Sequence, residues 1–178
     1  AELAKHERVE LLIANDGVEL RARKKLDPLR LTDEQLRLHR VEPGDVWIRD
    51  YGPIFITRDV GGKREVGWTK WGYNAYGKGD GEYADLMPGN DVPYKLPIQD
   101  MPHFDAGMIM EGGSIDVNGT GTLLTTESCL LSPTRNPHMT KAQIERRLCD
   151  MLGVTNVLWL SAGIEGDDTT GHVDDLTR

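Results

Sequence analysis

The chain has 178 residues, 38% hydrophobic and 28% charged, with a formal net charge of -8 and a mean hydropathy of -0.46. These values exclude a disordered chain, and no stretch approaches the roughly 20 apolar residues that a membrane span needs. The Lys and Arg residues are scattered, which excludes the clustered basic face of a nucleic-acid-binding protein.

One domain is the expectation from size. Cys129 and Cys149 are the only cysteines and make neither a disulfide framework nor a zinc-type C-x-x-C pair. No secretory signal opens the chain, so a reducing, cytoplasmic setting is expected. The composition is compatible with a small cationic substrate and a second copy of the chain, in a homo-oligomer, as partners, with no nucleic acid and no membrane. Ala1 reads as lying in the tail of a helix and Arg178 follows a dense polar motif directly, so neither end reads as a domain boundary.

In chain order, residues 9–14 (VELLIA) read as a buried strand closed by Asn15-Asp16-Gly17. A charged helical stretch follows at 18–26, and a second polar helical stretch at 31–39. Residues 54–57 and 65–71 flank Gly61-Gly62 as a β-hairpin. Residues 73–103, rich in Gly, Pro, Asp and Tyr, read as a long functional loop. A second hairpin pairs 114–117 with 122–126 around Asn118-Gly119. The clearest helix follows: Thr140 and Gln143 form a capping box, Ile144, Leu148, Met151 and Leu152 one apolar stripe, and Gly153 the C-terminal cap. Residues 157–160 read as another buried strand. The order strand, strand, helix, strand points to repeated ββαβ units in an α/β fold.

Three polar clusters end apolar segments, where side chains can line a cleft. In VWIRDYGP (46–53), Asp50 beside Arg49 reads first as a surface ion pair or turn residue. In MEGGS (110–114), Glu111 reads first as an exposed residue on a bulge. In GDDTTGHVDD (166–175), an extended His172-Val173-Asp174 would put imidazole and carboxylate on one face, about 7 Å apart. The many neighbouring aspartates are expected to raise the His172 pKa and to hold a cation.

That cation could be a metal, as in metallopeptidases with a His-x-Asp pair. His6, His39, His103 and His138 stand singly, however, and a catalytic zinc usually takes three protein ligands, often more than one of them His. The other candidate is a guanidinium, a planar, permanently charged fork of N–H donors that pairs best with carboxylates. Burying it requires several of them, and Asp50, Glu111 and Asp174 would serve.

VWIRDYGP (46–53), WGYNAY (71–76), EGGSIDVNGTGTLLTTESCLLSPTRNP (111–137) and DDTTGHVDDLTR (167–178) resemble, in order, the agmatine deiminase family, which is grouped with bacterial-type peptidylarginine deiminases. Thr170 departs from the acidic or amide residue of many relatives. The resemblance implies a pentein fold, an α/β propeller of five ββαβ units around a central channel. It places residues 1–178 as a partial catalytic domain, truncated at both ends and roughly half of the five-unit fold.

The resemblance further implies attack of a cysteine thiolate on the guanidinium carbon of agmatine, loss of ammonia, and hydrolysis of a thiouronium to N-carbamoylputrescine, with no metal and no organic cofactor. Asp50 and Asp174 would clamp the guanidinium. Glu111 would sit beside His172, the proton shuttle. Trp47 would wall the channel, and Asp168 would meet the far amine of the substrate. The family's nucleophile lies in a Gly-rich segment with no match here. Cys129 and Cys149 read instead as small core residues, so this chain alone is expected to be inactive. The rival readings are a peptidylarginine deiminase, a metal-dependent peptidase or amidase using His172, Asp174 and Asp168, and a non-catalytic guanidino-binding domain.

Overall fold

A computed structural model describes residues 2–177, so the expectations for Ala1 and Arg178 lie outside the described residues. In chain order the elements are β1 (Val9–Leu12), α1 (Asp16–Leu26), β2 (Leu36–His39), α2 (Ile48–Tyr51), β3 (Ile54–Val60), β4 (Lys63–Gly72), α3 (Val92–Lys95) and β5 (His103–Ile109). They continue with β6 (Ile115–Val117), β7 (Thr122–Thr126), α4 (Glu127–Leu130), α5 (Lys141–Leu152) and β8 (Asn156–Leu160).

These elements form three sheets on one plan. In β3-β4-β5 and in β6-β7-β8 the first pair is antiparallel, the second pair is parallel, and the parallel crossover carries helix. The β1-β2 sheet has the parallel pair and its crossover helix α1. The ββαβ repeat is therefore present twice in full, with the last three elements of a third unit ahead of it.

Local chemistry accounts for most of the elements. Gly61 and Gly62 link β3 to β4 with φ of 57° and 77°, the left-handed pair that a tight hairpin turn demands. Thr140 and Gln143 make the reciprocal capping box of α5, and Gly153 closes that helix at φ 69°. Ile144 and Leu148 of α5 are fully buried among Met108, Leu123 and Leu130. A smaller core gathers Val41, Tyr51, Tyr73, Ala75, Tyr76 and Val92.

Four expectations need correction. Residues 36–39 are not helical but the strand β2, in parallel register with β1. Leu36 and Leu38 alternate with Arg37, a period-two pattern, and Arg30 breaks any helix before them at φ 52°. Asn15 does not close a strand in a turn but caps α1, its Oδ1 accepting from Val18 N at 3.1 Å. Residues 73–103 hold a 3-10 segment (Ala84–Asp91) and α3, and they bury aromatic side chains. The stretch His172-Val173-Asp174 is not extended; it enters a turn in which Leu176 N and Thr177 N donate to Val173 O. No helix among the described residues is long and apolar enough to cross a membrane.

Candidate active site

Segments that follow strands meet at one cavity: residues 45–51 after β2, 73–77 after β4 and 167–174 after β8 supply lining residues, and 111–114 after β5 packs behind them. The cavity encloses about 330 Å³ and is lined by Asp45, Trp47, Asp50, Tyr76, Tyr83, Leu86, Asp168, Thr169, His172 and Asp174. The structure thus brings Trp47, Asp50, Asp168, His172 and Asp174 together. Glu111 lies just behind, its Oε2 4.0 Å from His172 Nε2.

Gly113 explains the convergence. A Cβ there would lie 2.6 Å from His172 Nδ1 and 2.8 Å from both Asp50 Oδ1 and Asp174 Oδ2, so only glycine lets the three groups meet. A Cβ on Gly112 would strike Arg49 O at 2.0 Å. Gly113 N also donates to Asp50 Oδ1 at 2.9 Å, and Gly113 O accepts from Asp174 N at 3.3 Å. His172 and Asp174 therefore do share a face, fixed by a turn around Gly113 rather than by strand alternation.

Asp50 lies on the single turn of α2. Its segment is anchored by Asp45, which accepts from Trp47 N at 2.7 Å and, through its carbonyl, from Tyr51 Oη at 2.7 Å. Asp50 is not a surface ion pair: it is buried, and Arg49 turns away to the carbonyl of Ile115. Burial raises the Asp50 carboxyl to about 6, with the hydrogen bonds from Gly113 and Tyr76 opposing and Glu111 and Asp174 adding to the rise.

Glu111 is fully buried rather than exposed on a bulge, because Arg135 meets it. Arg135 Nε donates to both carboxylate oxygens at 3.0 and 2.9 Å, its Nη1 reaches Thr170 Oγ1 and its Nη2 reaches Thr169 O, each at 2.6 Å. Burial works against the Arg135 charge, and the attraction of Glu111, with Cys129 and Asp167 adding, together more than offsets it. Arg135 thereby ties Glu111 to the loop that carries His172. Thr170, the departure from the resemblance, is a partner in that tie and sits at φ 65°.

The expectation that carboxylates raise the His172 pKa is overturned. Burial, with the nearby Arg135 charge, lowers it to about 4, and only Asp167 pulls the other way. Asp167 is spent on the backbone, accepting from Thr169 N, Gly171 N and His172 N. The imidazole is 2% exposed, and its Nε2 has no hydrogen-bond partner. A buried polar atom left in that state is costly, and a catalytic role is one reason a fold retains it. Trp47 is 63% exposed at the mouth, and Asp168 stands there too, 3.9 Å from Lys78 Nζ.

Neither cysteine is placed for nucleophilic work. Cys129 is buried, its thiol pushed up to about 12 by burial, and Cys149 packs on the main core. Among the described residues, the group that could hold a metal is Glu111, Cys129 and His172, not the His172, Asp174 and Asp168 set of the peptidase reading. Its donor chemistry fits a metal poorly: the thiol is held protonated, and the carboxylate already carries the Arg135 guanidinium. A larger cavity of about 410 Å³ lies near Lys70, but that ammonium is satisfied by Trp71 O and Asn90 Oδ1.

Repeated ββαβ units, with an acidic, histidine-bearing cavity at the ends of their strands, place the chain among α/β propellers. The chain belongs to the Porphyromonas-type peptidyl-arginine deiminase family, which it matches over residues 1–178. It is 44% identical over 150 residues to an agmatine deiminase of Pseudomonas syringae pv. tomato, covering 83% of this chain and 40% of the relative. An agmatine deiminase of Medicago truncatula is 41% identical over 151 residues, covering 80% of this chain and 40% of the relative. The solved agmatine deiminase of Enterococcus faecalis superposes with a TM-score of 0.79 at 34% identity, over 98% of this chain and 46% of that one. The pentein architecture expected from the sequence is thus the one observed, and the chain spans about two fifths of its curated relatives.

Sequence reasoning missed Arg135 and Tyr76. The signal for Arg135 was an arginine in the otherwise uncharged SPTRNP, but the pairing with Glu111 spans 24 residues and becomes visible only in three dimensions.

Proposed function

We propose that this chain is part of a larger catalytic domain that hydrolyses the guanidino group of agmatine to N-carbamoylputrescine and ammonia, with the nucleophilic cysteine outside residues 1–178. The convergence of Asp50, Asp174 and His172 over Gly113, with the buried His172 Nε2 lacking a hydrogen-bond partner, carries this reading. Two carboxylates facing one small cavity suit a planar cation, which both neutralises their repulsion and repays their burial.

In this reading, the thiol of the external cysteine gives its proton to His172 and its sulfur bonds to the guanidinium carbon. His172 passes the proton to an amino group of the adduct, the C–N bond breaks, and ammonia leaves a thiouronium. His172 then takes a proton from water as oxygen adds to carbon; collapse of this adduct forms the C=O bond, breaks the C–S bond, returns the proton of His172 to the sulfur and releases the hydroxyl proton to solvent. His172, neutral at pH 7, can begin that sequence as a base and does not repel the cation. Glu111, held by Arg135, orients the ring side from which the proton moves.

Asp168 and Trp47 at the mouth favour agmatine over a peptidyl arginine, because a carboxylate there rewards a free terminal amine and a peptide supplies none. The test is ammonia release by the full-length protein from agmatine and from an arginine-containing peptide. Agmatine turnover, with the released chain 1–178 inactive, is the expected result. Citrulline formation in the peptide without agmatine turnover would shift the reading to a peptidylarginine deiminase.

A further inference from the structure

Residues 74–77 make a sharp turn after β4. Ala75 and Tyr76 have φ of 53° and 61°, a conformation uncommon for residues that carry a side chain. The turn is clamped: Asn74 Nδ2 donates to Thr134 O at 2.8 Å, Asn74 Oδ1 accepts from Gly77 N at 2.9 Å, and Gly79 N donates to Asn74 O at 3.0 Å. Backbone of this kind persists only where its surroundings hold it, and it clusters at working sites. Here it delivers Tyr76 into the cavity. The ring is 6% exposed and stands edge-on to His172, with centroids 5.8 Å apart, and its hydroxyl donates to Asp50 Oδ2 at 3.1 Å.

We propose that Tyr76 is a positioning residue for the guanidinium clamp: its hydroxyl holds one oxygen of Asp50 while Gly113 N–H holds the other, fixing the carboxylate plane and keeping it ionised for the cation. The ligand in this proposal rests on the hydrolase reading above; the geometry does not. Asp50 needs such help. Glu111 and Asp174 face it with like charge, His172 Nδ1 lies 3.7 Å from it as a neutral ring, and Arg49 on its own turn points elsewhere. Among the described residues, two donors hold the carboxylate oxygens, Gly113 N and Tyr76 Oη, and Tyr76 is the one on a side chain. Burial pushes the phenol far up, so it remains a donor across the working pH range.

The experiment uses the full-length protein with selectively carbon-13-labelled aspartate, the Asp50 carboxyl signal being assigned by its loss in Asp50→Asn. Tyr76→Phe should raise the Asp50 midpoint by about one pH unit, the tenfold change expected from losing one hydrogen bond to a charged group. The acid limb of kcat/KM for agmatine should move upward with it, leaving about a twofold loss at pH 7 that grows toward tenfold at lower pH and is recovered near pH 9. Replacing Tyr76 by 3-fluorotyrosine, a stronger donor with every contact kept, should move the midpoint down, and this arm decides the matter if Tyr76→Phe folds poorly. An Asp50 midpoint unmoved by either change overturns the proposal. If the midpoint moves as expected but the parent protein hydrolyses no guanidine, the positioning role stands and the functional reading falls.

Discussion

Asp50 shows how a residue suited to binding is ill-suited to folding. It is an aspartate 8% exposed beside Glu111 and Asp174, and its raised pKa says that the fold bears an unfavourable charge near pH 8. Asp50→Asn keeps the shape and removes that charge. The expected outcome at pH 8 is a more stable protein, by about 1–3 kcal/mol, that binds a non-reactive guanidine analogue at least a hundredfold more weakly. Thermal melts and equilibrium binding check the two halves, and a destabilised Asp50→Asn would show that the carboxylate is a structural group. Cys129 gives the opposite case. With its thiol at about 12 it stays protonated, so Cys129→Ala should keep kcat within about threefold while costing about 1 kcal/mol for the small void. An inactive but folded Cys129→Ala would instead place this cysteine among the catalytic groups.

Elements with a local cause were legible in the sequence, and those with a distant cause were not. The α5 helix announces itself through Thr140, Gln143, Ile144, Leu148 and Gly153, and the β3–β4 turn through Gly61-Gly62, because caps and turns are chemistry between near neighbours. Residues 36–39 misled because the period-two alternation of LRLH runs for only four residues, and the parallel pairing with β1 decides their state. For the site, the residue types of Asp50, Glu111, His172 and Asp174 and the acidic cavity could be read from motifs. The hub could not: Gly113 between three polar groups and Arg135 behind Glu111 belong to elements distant in sequence. Two variants test that hub. Gly113→Ala puts a methyl within 2.6–2.8 Å of His172, Asp50 and Asp174, so turnover should fall at least a hundredfold in a protein that still folds. Arg135→Met strands a fully buried carboxylate and should cost about 3–5 kcal/mol in urea unfolding, whereas a loss below about 1 kcal/mol would mean that the pair carries little of the loop's order.

Across the whole molecule, Asp50 and His172 set up opposing responses to acid. The folded pKa of His172, about 4, lies below its ordinary 6.5, so its contribution is complete above pH 6.5 and is lost as pH falls toward 4. The folded pKa of Asp50, about 6, lies above its ordinary 3.8, so its penalty is present above pH 6 and is relieved as pH falls toward 4. Each shift corresponds to about 3 kcal/mol, and the two windows overlap between pH 6 and pH 4. The unfolding free energy of the parent protein should therefore change little over that interval on account of this pair. Asp50→Asn removes the gain and should lose stability steeply on acidification. His172→Gln removes the loss and should become more stable relative to the parent between pH 6.5 and pH 4. Urea unfolding at half-unit steps of pH measures the slopes, and the double variant should run parallel to the parent. If the two single variants instead keep the parent's slope, the site does not hold a neutral imidazole against a reluctant carboxylate, and His172 would enter the reaction already protonated.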